Sequence, residues 1–378
     1  GYMTEAGDAG CHPTRKLPHI ILLHDESSFD ISVAPGVNVP AGYHRHFQSF
    51  DGKTRKLLVE GVGGPSWFTE YNVLTGLSVR SLGRFATSAT RIAAGRVYRG
   101  LPRSLQHCGY RTFSMYPFYG SFLGSRAFQT TTGIAHYLDM RDLGTSDFEA
   151  DSFYYDRAID LIGHERDKGP LFLYVYTVAN HFPWDERLRP QLTPGWHDLG
   201  NAPDVEEYIR RQAMSAQEYR KLRERLAREF PAEAFLIVRY GDHQPQFGAR
   251  LIDSLLGKEE LAKRAEASDP RYLTTYYAID AVNFRPGRYG VGARPARCAV
   301  FAADRTGGGW SSTRCKLRGA EVNPAKVRRN LLQVRSRQPG QTSESAFDGR
   351  GFDQGLIGGG ACRTASSVTP TCRPACSS

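Results

Sequence analysis

At 378 residues with 40% hydrophobic and 11% aromatic content, the chain can bury a large core, which excludes a wholly disordered polymer. Its formal net charge of +10 suggests nucleic acid until it is divided by region: residues 285–378 carry 16 Lys+Arg against 5 Asp+Glu, while 1–284 carry 33 against 34. The patterned part is therefore neutral, and with no apolar run of about 18 residues and no basic-then-apolar N-terminus, neither a spanning helix nor a signal peptide is expected.

In chain order, short apolar runs rich in β-branched and aromatic residues predict buried strands at His19–His24, Leu57–Val59, Arg111–Tyr116, Leu171–Thr177, Ala234–Tyr240 and Tyr276–Phe284. Helical patterns lie between them at Trp67–Leu77, Leu101–Cys108, Asp151–His164 and Asp204–Met214. A further helix is expected after Ser215, where Ser215-Ala-Gln-Glu218 reads as a capping box ahead of Tyr219, Leu222, Leu226 and Phe230. Strands alternating with helices predict an α/β sandwich, a largely parallel sheet with helices on both faces. From 285 onward the pattern stops: 14 glycines in 94 residues, arginine scattered through Ser, Thr and Pro, and five of the seven cysteines. This composition fits out-of-frame translation better than an evolved basic arm, which would be Lys-rich and Cys-poor. The expected organisation is an extension over 1–16, a catalytic domain over 17–284 and the unpatterned basic tail over 285–378. No CxxC pair exists, so a zinc ribbon is not expected, and a single bridge between Cys11 and Cys108 stays open.

In sheets of this kind ligands gather at the carboxyl ends of the strands. Three predicted ends are polar: His24-Asp25-Glu26-Ser27-Ser28, Asn180-His181-Phe182-Pro183-Trp184 and Gly241-Asp242-His243-Gln244-Pro245. Gly241 lets the backbone turn sharply and leaves Asp242 and His243 free for a hard or borderline divalent cation, with Glu26 as a third donor. Gly63-Gly64-Pro65-Ser66 precedes a helix, so Ser66 reads either as a nucleophile beside free N–H groups and the helix dipole or as a plain N-cap. The Gly-Gly is no P-loop.

The order of strand–Glu26-Ser27, Gly63-Gly64-Pro65-Ser66 before Thr69-Glu70-Tyr71 and Leu74-Thr75-Gly76-Leu77, Asn180-His181-Phe182-Pro183, and Gly241-Asp242-His243 resembles the lipoteichoic-acid-synthase and phosphoglycerol-transferase branch of the sulfatase-like enzymes, in the alkaline phosphatase superfamily. The resemblance spans roughly 17–284. It implies an alkaline-phosphatase-like fold and one divalent cation, Mn2+ or Mg2+ with Zn2+ or Ca2+ as alternatives, bound by Glu26, Ser66, Asp242 and His243. Ser66 would be the nucleophile, His181 would bind phosphoryl oxygens and protonate the leaving alkoxide, and Arg126 would bind a substrate phosphate or glycerol. It further implies a phospholipid or phosphodiester donor, a glycan or water acceptor, and a domain on the periplasmic or extracellular face of the cytoplasmic membrane. The membrane helices it implies are absent from the sequence, which therefore also reads as a fragment; a non-catalytic product is a further alternative, because a last strand and covering helix would be lost with a scrambled C-terminal part.

Three other patterns compete. Cys11-His12-Pro13-Thr14-Arg15 matches the [CS]-x-P-x-R formylglycine motif of sulfatases but precedes the first strand, and at Ser66 that motif fails on Phe68 and Glu70. His44 and His46 form an H-x-H expected to be solvated. Tyr176 and Trp184 read as core.

Overall fold

The computed structural model describes residues 16–286. Seven strands, β1 (His19–Asp25), β2 (Arg55–Leu58), β3 (Arg111–Met115), β4 (His136–Leu138), β5 (Leu171–Thr177), β6 (Phe235–Gly241) and β7 (Thr274–Val282), form one sheet in the order β2-β7-β6-β1-β5-β3-β4. β6, β1, β5, β3 and β4 run parallel; β7 and β2 close one edge antiparallel. The α-helices among the described residues are α1 (Ser66–Thr75), α2 (Ala89–Ala93), α3 (Leu101–Gln106), α4 (Ser125–Thr132), α5 (Met140–Leu143), α6 (Asp151–Glu165), α7 (Pro203–Glu229), α8 (Gly248–Ile252) and α9 (Lys258–Glu266). None of them is long and apolar enough to cross a membrane.

β5, read as a near-continuous apolar run, has all seven residues buried, as a central strand covered on both faces must. β1 lies between β5 and β6, and its two-residue period divides its side chains between the faces. His24 faces α1 and α4, where Glu70 accepts from Gln129 Nε2 at 2.8 Å and the Tyr71 and Phe128 rings stack at 5.9 Å. Asp25 faces α6 and α7, whose Tyr155, Ile159, Tyr219, Leu222 and Leu226 are buried. Each such burial contributes about 1.5–3 kcal/mol. A second cluster of Phe29, Phe47, Trp184, Tyr208, Phe247 and Tyr276 fastens the loops beyond β1, β5 and β6, so the polar strand ends are held from outside.

The predicted strands and helices form, except for the helix start at Ser215, while β4, α2, α4, α5, α8 and α9 were not predicted. β4 has three residues, too few to display a period, and pairs only with β3. No helix starts at Ser215: α7 runs unbroken for 27 residues through both predicted helices. Its preceding turns continue, so no free N–H groups await a cap there; Glu218 instead accepts from Ser152 N at 3.0 Å and Ser152 Oγ at 2.9 Å, holding the start of the neighbouring α6. Of the histidine pair expected to be solvated, His44 is exposed but the His46 side chain is only 5% exposed, its Nε2 2.5 Å from Arg239 Nη1 and 3.6 Å from Asp25 Oδ2. Burial first, then the Arg239 charge, push the His46 imidazole down to about 4. Cys108 is disulfide-bonded. The Cys11–Arg15 motif and the basic tail beyond residue 286 lie outside the described residues.

Candidate active site

The ends of β1 and β6 meet at a turn that only glycine permits. A Cβ on Gly241 would stand 1.9 Å from the Ser28 carbonyl oxygen. On the β1 side Ser27 takes a left-handed φ of 51°, and its N–H donates to Asp242 Oδ1 at 2.7 Å while its hydroxyl donates to Glu26 Oε1 at 3.0 Å. Asp242 is completely buried; Oδ1 also accepts from His243 N at 2.9 Å, whereas Oδ2 has no hydrogen-bond donor.

Ser66 is the first residue of α1. The N-cap position belongs to Pro65, and no side chain caps this helix, so the capping alternative does not hold. The Ser66 hydroxyl instead donates to Glu26 Oε2 at 3.0 Å and lies 3.1 Å from His243 Nε2. His243 Nε2 is also 3.3 Å from Glu26 Oε1 and 3.3 Å from Asp242 Oδ2. The other ring nitrogen, Nδ1, donates to the Gln244 carbonyl at 2.8 Å, which turns Nε2 toward the carboxylates. Burial alone would lower the His243 imidazole, but Asp242 and Glu26 outweigh it and push it up to about 9. Burial alone would raise Glu26, but the hydrogen bond and charge of His243 hold its carboxyl below the usual range.

Glu26, Ser66, Asp242 and His243 thus gather together: Ser66 lies 3.0 Å from Glu26 and 3.1 Å from His243, and His243 lies 3.3 Å from both Glu26 and Asp242. Ligands at about 2.0–2.2 Å from a tetrahedral divalent ion stand about 3.3–3.6 Å apart, so the spacing is close to that of a coordination shell. Asp242 Oδ2 points the same way: it is fully buried and has no hydrogen-bond donor, with His24 Nε2 at 3.2 Å and His243 Nε2 at 3.3 Å beside it, so it is an acceptor that a cation would satisfy. Two carboxylates, an imidazole and a hydroxyl suit a hard or borderline divalent ion.

Two participants escaped the sequence reading. His24, Glu26 and Asp242 each offer a ligand atom within 4.8 Å of the others. His24 Nδ1 is tied to the hydroxyls of Tyr174 at 2.9 Å and Tyr240 at 3.0 Å, and Nε2 lies 3.2 Å from Asp242 Oδ2. The period of 2 along β1, which puts residues 24 and 26 on one face, was the available signal. Tyr176 is buried as expected, yet its ring stacks on His24 at 3.7 Å and its hydroxyl donates to Glu26 Oε2 at 3.0 Å.

His181 follows β5, flanked by the Phe148 and Phe182 rings at 4.9 and 4.4 Å. Its Nδ1 donates to the Phe182 carbonyl at 2.5 Å, and its charge helps depress the Glu26 carboxyl, so it borders the cluster. Arg126 is not brought into it. Its guanidinium binds Asp139 at 3.0 Å and Asp142 at 3.2 Å and lies over Tyr137, and the Tyr137, Tyr116 and Tyr176 rings intervene before Glu26.

A family model described as Sulfatase matches residues 68–287, more than half of the chain. No curated protein sequence matches it. The lipoteichoic acid synthase LtaP from Listeria monocytogenes is similar in structure with a TM-score of 0.52 at 16% identity, over 70% of this chain and 65% of that one. The phosphoglycerol transferase GacH from Streptococcus pyogenes, solved with sn-glycerol-1-phosphate, gives 0.49 at 17% identity over 70% and 68%. A protein in the alkaline phosphatase superfamily from Vibrio parahaemolyticus gives 0.49 at 15% over 72% and 62%. The chain spans about two thirds of the Listeria chain, and the likeness is one of fold: a central sheet flanked by helices.

Proposed function

The chain belongs to the sulfatase family, a group of enzymes within the alkaline phosphatase superfamily, and from that premise we propose that it transfers a phosphoglycerol-like head group from a phospholipid donor to a glycan hydroxyl through Ser66. The observation that carries this reading is the Ser66 hydroxyl, freed from capping and held 3.0 Å from Glu26 and 3.1 Å from His243 at a helix N-terminus. Glu26, Ser66, Asp242 and His243 would hold one divalent cation, Mn2+ or Mg2+, which when bound neutralises phosphoryl charge and lowers the hydroxyl pKa. Ser66 Oγ passes its proton to Glu26 Oε2, which it already contacts, and attacks phosphorus; the bond from phosphorus to the lipid alkoxide breaks as that alkoxide takes a proton from His181. A glycan hydroxyl then gives its proton to His181 and displaces Ser66, which recovers its proton from Glu26; water in the same place makes the enzyme a hydrolase. Tyr176, donating to Glu26, orients the carboxylate. Arg126 contributes to substrate binding only if its two carboxylate contacts open.

Formylglycine-type sulfate hydrolysis finds no support at Ser66, because Phe68 and Glu70 stand where that motif needs Pro and Arg. The disulfide at Cys108 suits the outer face of a cytoplasmic membrane, an oxidising setting. We place the catalytic domain at 17–284. The test is mass spectrometry of the chain after incubation with phospholipid donor and Mn2+. A glycerophosphoryl adduct on Ser66 is expected; under trapping conditions its absence, with turnover intact, overturns the covalent route.

A further inference from the structure

On the opposite face of the sheet from the Glu26 cluster, a cavity of about 560 Å3 opens between the 40–48 loop, α7 and the β6–β7 edge. That volume is in the range of small-ligand sites. Three nitrogens in its lining are buried and have no hydrogen-bond acceptor: Gln212 Nε2, Arg223 Nε and Arg239 Nε. All three are donors without a lone pair, and buried donors in native proteins nearly always find an acceptor. Arg239 is only 4% exposed; both of its terminal nitrogens are taken by His46 and its plane is stacked on Tyr219 at 4.5 Å, so Nε is what remains for a ligand. The charge balance agrees. Arg239 faces Asp25 at 3.4 Å and Arg223 faces Asp280 at 3.6 Å, while Arg45 and Arg220 in the same lining make no ion pair with a described carboxylate. The wall therefore offers three unused donors and two surplus positive charges.

We propose that this cavity binds a tetrahedral oxyanion, phosphate or sulfate, either free or as an ester. A dianion matches the two surplus charges, and its four oxygens can serve donors from sheet and helix together, which a carboxylate's two cannot. The volume leaves room for an organic group on the ester. The site is separate from the nucleophile: Arg239 lies on the α7 side of β6, Asp242 at its end on the other side.

The test is calorimetric titration of the full chain carrying Ser66→Ala, with chelator present, so that neither cation nor nucleophile holds the anion. Inorganic phosphate is expected to bind saturably. Arg220→Ala and Arg223→Ala, at side chains open to solvent, each weaken it roughly tenfold, with circular dichroism showing the fold retained. Glycerol phosphate binding tighter than inorganic phosphate identifies an ester as the natural ligand, and equal affinity identifies the free ion. Absence of saturation, equal binding of acetate, or unchanged affinity in both arginine variants overturns the proposal.

Discussion

Asp25 and Glu26 are neighbours in sequence, yet they sit on opposite sides of the sheet, and the two sides treat a buried carboxylate differently. On the α7 side Asp25 meets Arg239 at 3.4 Å and His46 at 3.6 Å; burial would raise its carboxyl, and these partners hold it below the usual range. The chain supplies the cation itself. On the α1 side Glu26 and Asp242 meet no described arginine or lysine; their ion-pair partners are the imidazoles of His243 and, for Asp242, His24, and Asp242 Oδ2 has no hydrogen-bond donor. An acid cluster closed by a guanidinium is a structural joint. One left without such a guanidinium is suited to a cation from solution.

This contrast yields effects of graded size. Ser66→Ala is expected to reduce head-group transfer by at least about 10^3-fold while shifting the melting temperature by less than about 2 °C, checked by paired kinetics and calorimetry. Arg239→Met is expected to do the reverse, destabilising the chain by about 3–5 kcal/mol in urea titration, because it strands Asp25 in the interior. A pH effect belongs to the α1 side. Burial pushes the Glu70 carboxyl up to about 7 against the hydrogen bond from Gln129. The folded chain then holds a proton that the unfolded chain, titrating near 4.5, has released, so stability falls as pH rises from about 4.5 to about 7 and the loss is complete above it. Glu70→Gln should therefore match the parent at pH 4 and exceed it by about 3 kcal/mol at pH 8, read from denaturation at both values. Smallest is His24→Phe, expected to weaken divalent-cation affinity about 10–100-fold by titration without abolishing it, as its Nδ1 is committed to Tyr174 and Tyr240.

The α1 side was the more legible in sequence. Glu26, Asp242 and His243 stand immediately after apolar runs, where strand ends announce themselves, and the Gly before Asp242 marks the turn. His24 was hidden inside such a run, and Tyr176 looked like the core residue it also is; both depend on which strands become neighbours, β5 and β6 flanking β1, which a single sequence does not state. The α7 side was barely legible. Arg239 is a lone charge in the strand Phe235–Gly241, and its partners His46, Tyr219 and Asp25 come from three distant segments. The misplaced capping box at Ser215 has the same origin, for a local pattern identifies a helix start only where the preceding backbone is not already helical.

The central claim is that the α1 side lacks a cation which solution provides. Thermal unfolding of the parent chain and of Asp242→Asn, each with chelator and with excess Mn2+, tests it directly. Mn2+ should raise the melting temperature of the parent and leave the variant unmoved, and with chelator the variant should be at least as stable as the parent, because it relieves an unpaired buried charge. An equal Mn2+ shift in both proteins, or a variant that unfolds several degrees earlier with chelator, would contradict it.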